Sequence, residues 1–550
     1  MDMFQKLEKA LRKTYQKRKN KILVIQFIFS LNVLNAQIDQ RFDLYDWEII
    51  RQNESINSIS EGYKYIFFAT NANGLLRYNK FSRKFDPNLF LGQGIKSNRI
   101  KHVYVDKNTG ILWIIGNKGL EFSNSREGNW NTSQFDGLSI NFLKDIYDLG
   151  SSKNFLWIKT SSRYIKLDNI GGSFLGFFTY PDEEDIDWGD INFKNRYSLS
   201  GLSFDNYFVE EGWLLGKNSA SDKNGVFHNY NAFLRTESGF SFIGLSNGQL
   251  LFIDDLSKTI SPKTVGITVS VPLTVSIEDK LWLGGINHTL SSGISSIDNN
   301  FREINNLLDS NYSGFFEADF YSSEIIDNEV WFGSDGKVVI YNKIDNFFRT
   351  LGYEKRIPDK RVEFIKYIDD KVYIASTNDL IVLDKKSKKI INSQISNLIK
   401  NNNLSIDYLD VIDNELYLSI DGRVYIFDKE ESINIEKFEF LLNDNFRVDG
   451  IYGDSNFLFF SSERGVISTR DNQFIPSTIY FNNKVNDVLL VNQNLFIGTS
   501  GGLAIYNLEE KQLNNFYDYS FIRNIFKMEL VNEFLVLLTS TGLIKLRLSL

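Results

Sequence analysis

Residues 94–120 read GIKSNRIKHVYVDKNTGILWIIGNKGL, and this stretch decides the fold. Ile100, Val103 and Val105 belong to one short strand. Asp106-Lys-Asn-Thr-Gly110 then turns the chain, because Asp, Asn and Gly tolerate the backbone angles of a tight turn. Leu112 to Ile115 make a second strand, Asn117-Lys-Gly119 a second turn, and Leu120 to Phe122 a third strand. One such unit has an apolar face that it cannot bury alone, whereas stacked copies can bury it.

Degraded copies run down the chain, each with large apolar residues led by an aromatic and then a small polar turn. They include YIFFATNANGLLRY (65–78), LWIKTSSRYIKL (156–167), WLLGKNSASDKNGVF (213–227), FSFIGLSNGQLLFI (240–253) and VWFGSDGKVVIY (330–341). LFIGTSGGLAIY (495–506) and FLVLLTSTGLIKL (534–546) come last. The landmarks are Phe67, Trp113, Trp157, Trp213, Phe242, Trp282, Trp331, Tyr373, Tyr417, Phe459, Phe496 and Val536. Their mean spacing of about 43 residues is the period of a four-stranded propeller blade. The irregular intervals either side of Trp213, 56 and 29 residues, sum to two repeats. Polar pairs such as Asp327-Asn328, Asp369-Asp370 and Asp413-Asn414 precede the aromatic strands, and Asp335-Gly336, Asp421-Gly422, Gly501-Gly502 and Thr541-Gly542 follow them, as tight hairpins require. Only six prolines occur, which suits long paired strands. The fold expected is all-β: tandem β-propellers of about twelve four-stranded blades.

Rings usually hold ~4–8 blades, so two are expected: an N-terminal propeller over 37–310 and a C-terminal one over 311–550, with the seam near 305–320. Seven blades plus five is the alternative. The final copy, 522–550, has room for three strands, and Tyr45-Asp-Trp47-Glu-Ile-Ile-Arg51 resembles the end of the second copy around Trp130. Residues 43–51 are therefore expected to supply the missing strand of the last blade; closing the first propeller locally is the other possibility.

Gly94-Ile-Lys-Ser-Asn-Arg-Ile100, Asp106 and Gly110-Ile-Leu-Trp-Ile-Ile-Gly-Asn-Lys-Gly-Leu120 together resemble the two-component regulator propeller repeat, and Leu495-Phe-Ile-Gly-Thr-Ser-Gly-Gly-Leu503 is similar to its last segment. The Asp106–Gly110 turn is one residue longer than in that pattern, and Ile115 stands in place of its Gly. The resemblance implies the extracytoplasmic sensor-type propellers of hybrid histidine kinases, usually two per chain. It also implies relatives at cell surfaces and in secretion. No stretch reads as the kinase or receiver portion.

Residues 1–21 carry eight Lys or Arg against Asp2 and Glu8, and ILVIQFIFSLNVLNA (22–36) follows. A basic stretch, an apolar run and a terminal small residue make a secretory signal peptide, 1–36, cleaved after Ala36. A short membrane-anchoring helix is the alternative, although the run falls short of the ~20 apolar residues a span needs. The net charge of −8 supplies no phosphate-neutralising surface and argues against nucleic acid. With no cysteine there is no disulfide framework, thiolate chemistry or lipoprotein anchor.

Chemistry is sparse. Three histidines, His102, His228 and His288, are scattered through the copies. Carboxylate pairs such as Asp254-Asp255 and Asp369-Asp370 sit where hairpin turns are expected. The Asp106 turn resembles the Asp-box of sialidase-type propellers but has the wrong spacing. The one local anomaly is Asp182, Glu183, Glu184, Asp185, Asp187 and Asp190 gathered around Trp188. This run is the weak candidate for a binding site, with a solvated acidic loop as the plain reading. No catalytic, metal or cofactor site is expected. The reading favoured is an exported non-catalytic propeller that binds a protein or carbohydrate partner at the cell envelope: periplasmic, surface-exposed or secreted. A polysaccharide-acting propeller enzyme and an orphan sensor serving a separate histidine kinase are the alternatives. Converging carboxylates and His at a central channel would favour the enzyme.

Overall fold

The computed structural model describes residues 42–548 except 124–129, 134, 139, 141, 190, 193–203, 224, 237, 288–292, 309–317, 353–356, 358–359, 429–432, 435–445, 455–456 and 471. The expected signal peptide lies outside the described residues. The described chain forms eleven sheets, ten of them four-stranded. In chain order, blades 1–11 span 56–89, 100–133, 146–178, 191–263, 271–308, 322–351, 364–391, 406–434, 450–476, 485–517 and 525–547. The all-β propeller expectation is met.

Local chemistry explains the repeating unit. Each blade's second strand carries its landmark and is covered on both faces, so it reads as a nearly continuous apolar run; Trp113, Trp157 and Trp331 are fully buried. The first hairpin is a tight turn with left-handed residues: Asp413 and Asn414 have φ of 47° and 67°, the pattern of a type I′ turn. The outer hairpin starts with Asn or Asp, whose side chain accepts the next amides, as Asn342 Oδ1 does from Ile344 and Asp345. Four residues on, the chain turns left-handed at Arg83, Lys258, Asn346, Lys388 and Lys511. This is a type I turn closed by one left-handed residue, built at these five positions without glycine and in blade 3 with Gly172.

Twelve copies become eleven sheets. The copy at 213–227 forms no blade: Leu214–Leu215 and Ser219–Ser221 extend the inner strand of blade 4, Phe227–Arg235. The 29 residues between Trp213 and Phe242 are too few for four strands and their turns.

Sheet packing places the rings. The inner strands of blades 5 to 11 pack each on the next, and blade 11 returns against blade 5. There Val531, Val536, Leu538 and Leu543 share a core with Val275, Leu281 and Leu283. Blades 5–11 are thus one seven-membered cycle. Blade 1 packs on blade 2 and on blade 4, where Ile56, Phe68 and Tyr78 meet Ala232, Phe242 and Leu250. The expected seam at 305–320 therefore falls between blades 5 and 6, whose inner strands pack directly, and the chain enters the seven-membered cycle through 264–270 instead. The error arose from an even division: the C-terminal cycle takes seven sheets, leaving four on the N-terminal side.

The expected clasp is present. Trp47–Ile50 is the fourth strand of blade 11, antiparallel to Gly542–Arg547, with Trp47 opposite Leu546 and Ile50 opposite Leu543. Glu48 pairs across the ladder with Lys545 at 2.6 Å. From there the chain leaves for blade 1 beside the segment that returns to blade 5. Ile267 donates to the Arg51 carbonyl at 3.0 Å and accepts from the Asn53 amide at 2.8 Å. Gln52 donates to the Thr268 carbonyl and accepts from Ser270 Oγ at 2.6 Å.

Candidate functional site

The inner strands of the seven-membered cycle bring charged side chains from several blades together. Seven residues before the landmarks Trp331, Tyr373, Tyr417, Phe459, Phe496 and Val536, and directly opposite them, stand Glu324, Lys366, Asp410, Tyr452, Leu489 and Glu529. Ser276 faces Trp282 in blade 5. Two residues earlier on the same strands come Thr274, Phe364, Tyr408, Asp487 and Lys527. These groups feel one another across the ring: Lys366 of blade 7 is influenced by Glu529 of blade 11, and Glu324 of blade 6 by Lys527.

Neighbouring blades are joined in turn by these side chains. Thr274 and Ser276 contact Ser323 Oγ at 2.6 and 2.8 Å. Lys366 Nζ lies 3.4 Å from Glu324 and 2.8 Å from Asp410. The Tyr408 ring sits 5.6 Å from both Phe364 and Tyr452, and Tyr452 Oη donates to the Asn486 carbonyl at 3.1 Å. Asp487 accepts from the Met528 amide, and Lys527 Nζ reaches the Val275 carbonyl at 3.5 Å. The belt returns to the blade where it began.

Its electrostatics follow from burial. Burial alone would lower the Lys366 pKa, but Asp410 and Glu324 outweigh it and the net shift is upward. Burial raises Glu324, with Lys366 opposing. Asp487 is pushed up to about 8 by burial, against the pull of Lys527. Tyr408 and Tyr452 are raised well above the usual phenol range, again by burial. At neutral pH the belt holds Asp487 mostly protonated, and its paired carboxylates lie against lysines.

The acidic run is placed elsewhere and does not form an open loop. Gly150, Trp157, Lys166 and Gly176 stand side by side across the four strands of blade 3. Residues 182–188 cross that row. Asp182 takes Lys166 Nζ at 2.8 Å on both oxygens, and Glu183 accepts from Trp157 Nε1 at 3.1 Å. Asp187 pairs with the Ser151 backbone in both directions and with Lys107 at 3.2 Å. Trp188 lies against Gly150, where a Cβ would come within 2.8 Å of its ring. The next residues, Ile191–Asn192, pair with blade 4. The run is a strap between blades 3 and 4, which explains its acidity by Lys166, Lys107 and an indole N–H. Glu184 and Asp185 are exposed and without a partner among the described residues; Asp190 lies outside them.

The remaining sequence candidates have structural partners. Asp106 is fully buried and accepts from Asn108 N, Thr109 Oγ1, Ser151 Oγ and Asn169 Nδ2 at 2.8–3.0 Å, tying blade 2 to blade 3. Asp254 caps a hairpin, and Asp369 is the left-handed residue of another. His102 is buried on blade 2, 3.3 Å from the Ile146 carbonyl, and His228 lies 3.2 Å from Asp222; His288 is outside the described residues. Among the described residues no three His, Asp or Glu are placed to hold a metal ion, and no helix is long and apolar enough to cross a membrane.

No family model and no curated protein matches the chain, so the regulator-propeller resemblance rests on residues 94–120 and 495–503. Among solved structures, the chain is similar to the extracellular domain of the putative one component system BT4673 from B. thetaiotaomicron: 13% identity, 89% of this chain and 75% of that one covered, TM-score 0.40. It is similar to the extracellular domain of the putative hybrid two component system BT3049 from the same organism, at 16% identity, coverages of 92% and 83%, and TM-score 0.30. It is also similar to PorZ, an essential bacterial surface component of the type-IX secretion system of Porphyromonas gingivalis, at 10% identity, coverages of 91% and 87%, and TM-score 0.34. The fold rests on the strand pairing above, and no ligand or partner follows from likenesses of this size.

Proposed function

We propose that this chain is an exported, non-catalytic β-propeller protein that binds a protein or glycan partner at the cell envelope. The observation that carries the reading is the state of the belt on the inner strands. Acid–base chemistry on polysaccharide needs one carboxyl free to give a proton and another free to attack or to activate water. Here Asp487 keeps a proton, but Asp410 and Glu324 share Lys366 and Glu529 lies 3.3 Å from Lys527, so each ionised carboxylate of the belt is held by a lysine and none stands free to attack or to activate water. These groups serve the joints between blades. Export is supported by the basic, apolar and small-residue order of 1–36. Binding is supported by aromatic rings left on the surface of the N-terminal blades, among them Tyr63, Phe81 and Tyr180. The test is a pull-down from native envelope with the mature chain, paired with a hydrolysis assay on envelope polysaccharide. Retention of a defined protein or glycan without hydrolysis is expected. Hydrolysis abolished by Glu324→Gln or Asp410→Asn would replace this reading with the enzyme.

A further inference from the structure

Sheltered cations in this chain have partners, and Arg51 does not. Lys80, Lys166, Lys366, Lys388 and Lys545 each meet a carboxylate within 2.9 Å, and Arg77 Nε donates to the Pro87 carbonyl at 2.7 Å. The Arg51 side chain is only partly exposed, and its Nε is buried with no acceptor. Its guanidinium makes no ion pair or hydrogen bond among the described residues. Burial lowers its pKa from the usual guanidinium value, and Glu54 opposes this only from beyond ion-pair distance. A charge taken out of water is ordinarily paired, because leaving it uncompensated is costly.

The chain beneath this head group is firmly held. Asn73, in a turn of blade 1, accepts from the Arg51 amide at 2.9 Å and donates to the Gln52 carbonyl at 3.0 Å. Ile267 bonds the Arg51 carbonyl and the Asn53 amide from the other side. The Arg51 stem crosses Gly542 in a turn of blade 11, where a Cβ would stand 3.1 Å from Arg51 Cγ. Much of the ordering cost of binding is therefore met before a ligand arrives. Asn53, two residues on in the same extended segment, keeps its Oδ1 buried without a donor. An unpaired cation followed by an unpaired acceptor is complementary to an anion that also carries an O–H. We propose that Arg51, where blades 1 and 11 meet the segment entering blade 5, binds a small oxyanion bearing a hydroxyl group, either hydrogen phosphate or a sugar acid. The planar guanidinium suits either oxyanion bidentately, and the hydroxyl would reach Asn53. This site is separate from the envelope partner proposed above, so the two readings stand or fall independently.

The test is titration calorimetry on the full mature chain with hydrogen phosphate and with glucuronate, at constant ionic strength in chloride. A saturable heat at one site per chain is expected, and the tighter of the two anions assigns the source as free phosphate or sugar-borne carboxylate. Arg51→Met should abolish the heat. Arg51→Lys, which keeps the charge but loses the planar fork, should weaken binding about tenfold. Thermal melts without either anion separate binding from a structural role. Removing a sheltered, unpaired charge should leave Arg51→Met at least as stable as the parent. A lowered melting temperature would show that the guanidinium is already satisfied within the chain, and would overturn the proposal. No heat with either anion overturns it too, as does a heat that Arg51→Met retains, which marks an adventitious ion only. An envelope partner still held by Arg51→Met leaves the binding reading standing whichever way the anion titration falls.

Discussion

At the scale of single residues, Gly502 and Asp487 show how backbone and burial each set a requirement. Gly502 has φ of +152°, and a Cβ there would stand 2.0 Å from the Tyr517 carbonyl oxygen. Gly502→Val should cost roughly 3 kcal/mol or more, read as a lowered melting temperature. Gly110→Ala, at φ of +73° with no atom within 4 Å, should cost only about 1 kcal/mol. Equal losses would show that close approach is not what Gly502 provides. Asp487 has a folded pKa of about 8, far above its ordinary value of 3.8, because burial disfavours its charge. The folded state keeps a proton that the unfolded chain loses, so this group's contribution to stability falls as pH rises from about 4 to 8. Asp487→Asn cannot ionise and should flatten part of that decline, with a gain of roughly 1–3 kcal/mol near pH 8. Some slope should remain below about pH 7, since burial raises Glu121 to about 7 and Asp148 to about 6. Denaturant melts at pH 5 and pH 8 measure the difference, and an unchanged slope would count against a protonated Asp487.

At the scale of elements, the second strands were legible because both faces are buried and one aromatic recurs. The inner-strand belt was not legible, although from blade 6 to blade 11 its signal lay at a constant offset: the residue seven before each of those landmarks is Glu324, Lys366, Asp410, Tyr452, Leu489 or Glu529. Each blade contributes one unlike residue, so no local window looks like a site; only ring closure assembles them. The copy around Trp213 misled because its apolar core is real, with Trp213 buried beside Tyr230 and Phe233, while its spacing leaves no room for a blade. The acidic run was readable as an anomaly but not as a strap, because Lys166 and Trp157 become its neighbours only through the register of blade 3. That geometry divides the run. Asp182→Ala removes the partner of Lys166 and should destabilise by about 1 kcal/mol, limited by the half-exposure of the carboxylate. Glu184→Gln and Asp185→Asn should stay within about 0.5 kcal/mol of the parent. Thermal melts of the three variants check this, and a uniform response along the run would contradict the strap.

At the scale of the whole molecule, the N-terminal blades lie within the chain path that closes the C-terminal cycle. Trp47–Ile50 completes blade 11, residues 56–263 build blades 1–4, and the chain re-enters at blade 5, which packs against the blade it left. The clasp is anchored by apolar burial: Trp47 is fully buried, with Tyr517 and Phe521 ring centroids at 5.5 and 6.0 Å. Phe521 in turn meets Phe90 of the N-terminal blades at 5.1 Å. Losing this strand would expose the edge of Gly542–Arg547 and the rings that cover it, a loss of several kcal/mol at roughly 25 cal/mol per Å² of apolar surface. The most direct measurement is hydrogen exchange on the mature chain with and without residues 43–51. The structure predicts that the deletion strips protection first from 525–547 and then from its ring neighbour at 271–286, while 56–89 stays protected. Protection lost only before residue 264, with 525–547 unchanged, would contradict the closure of the seven-membered cycle by its N-terminal strand.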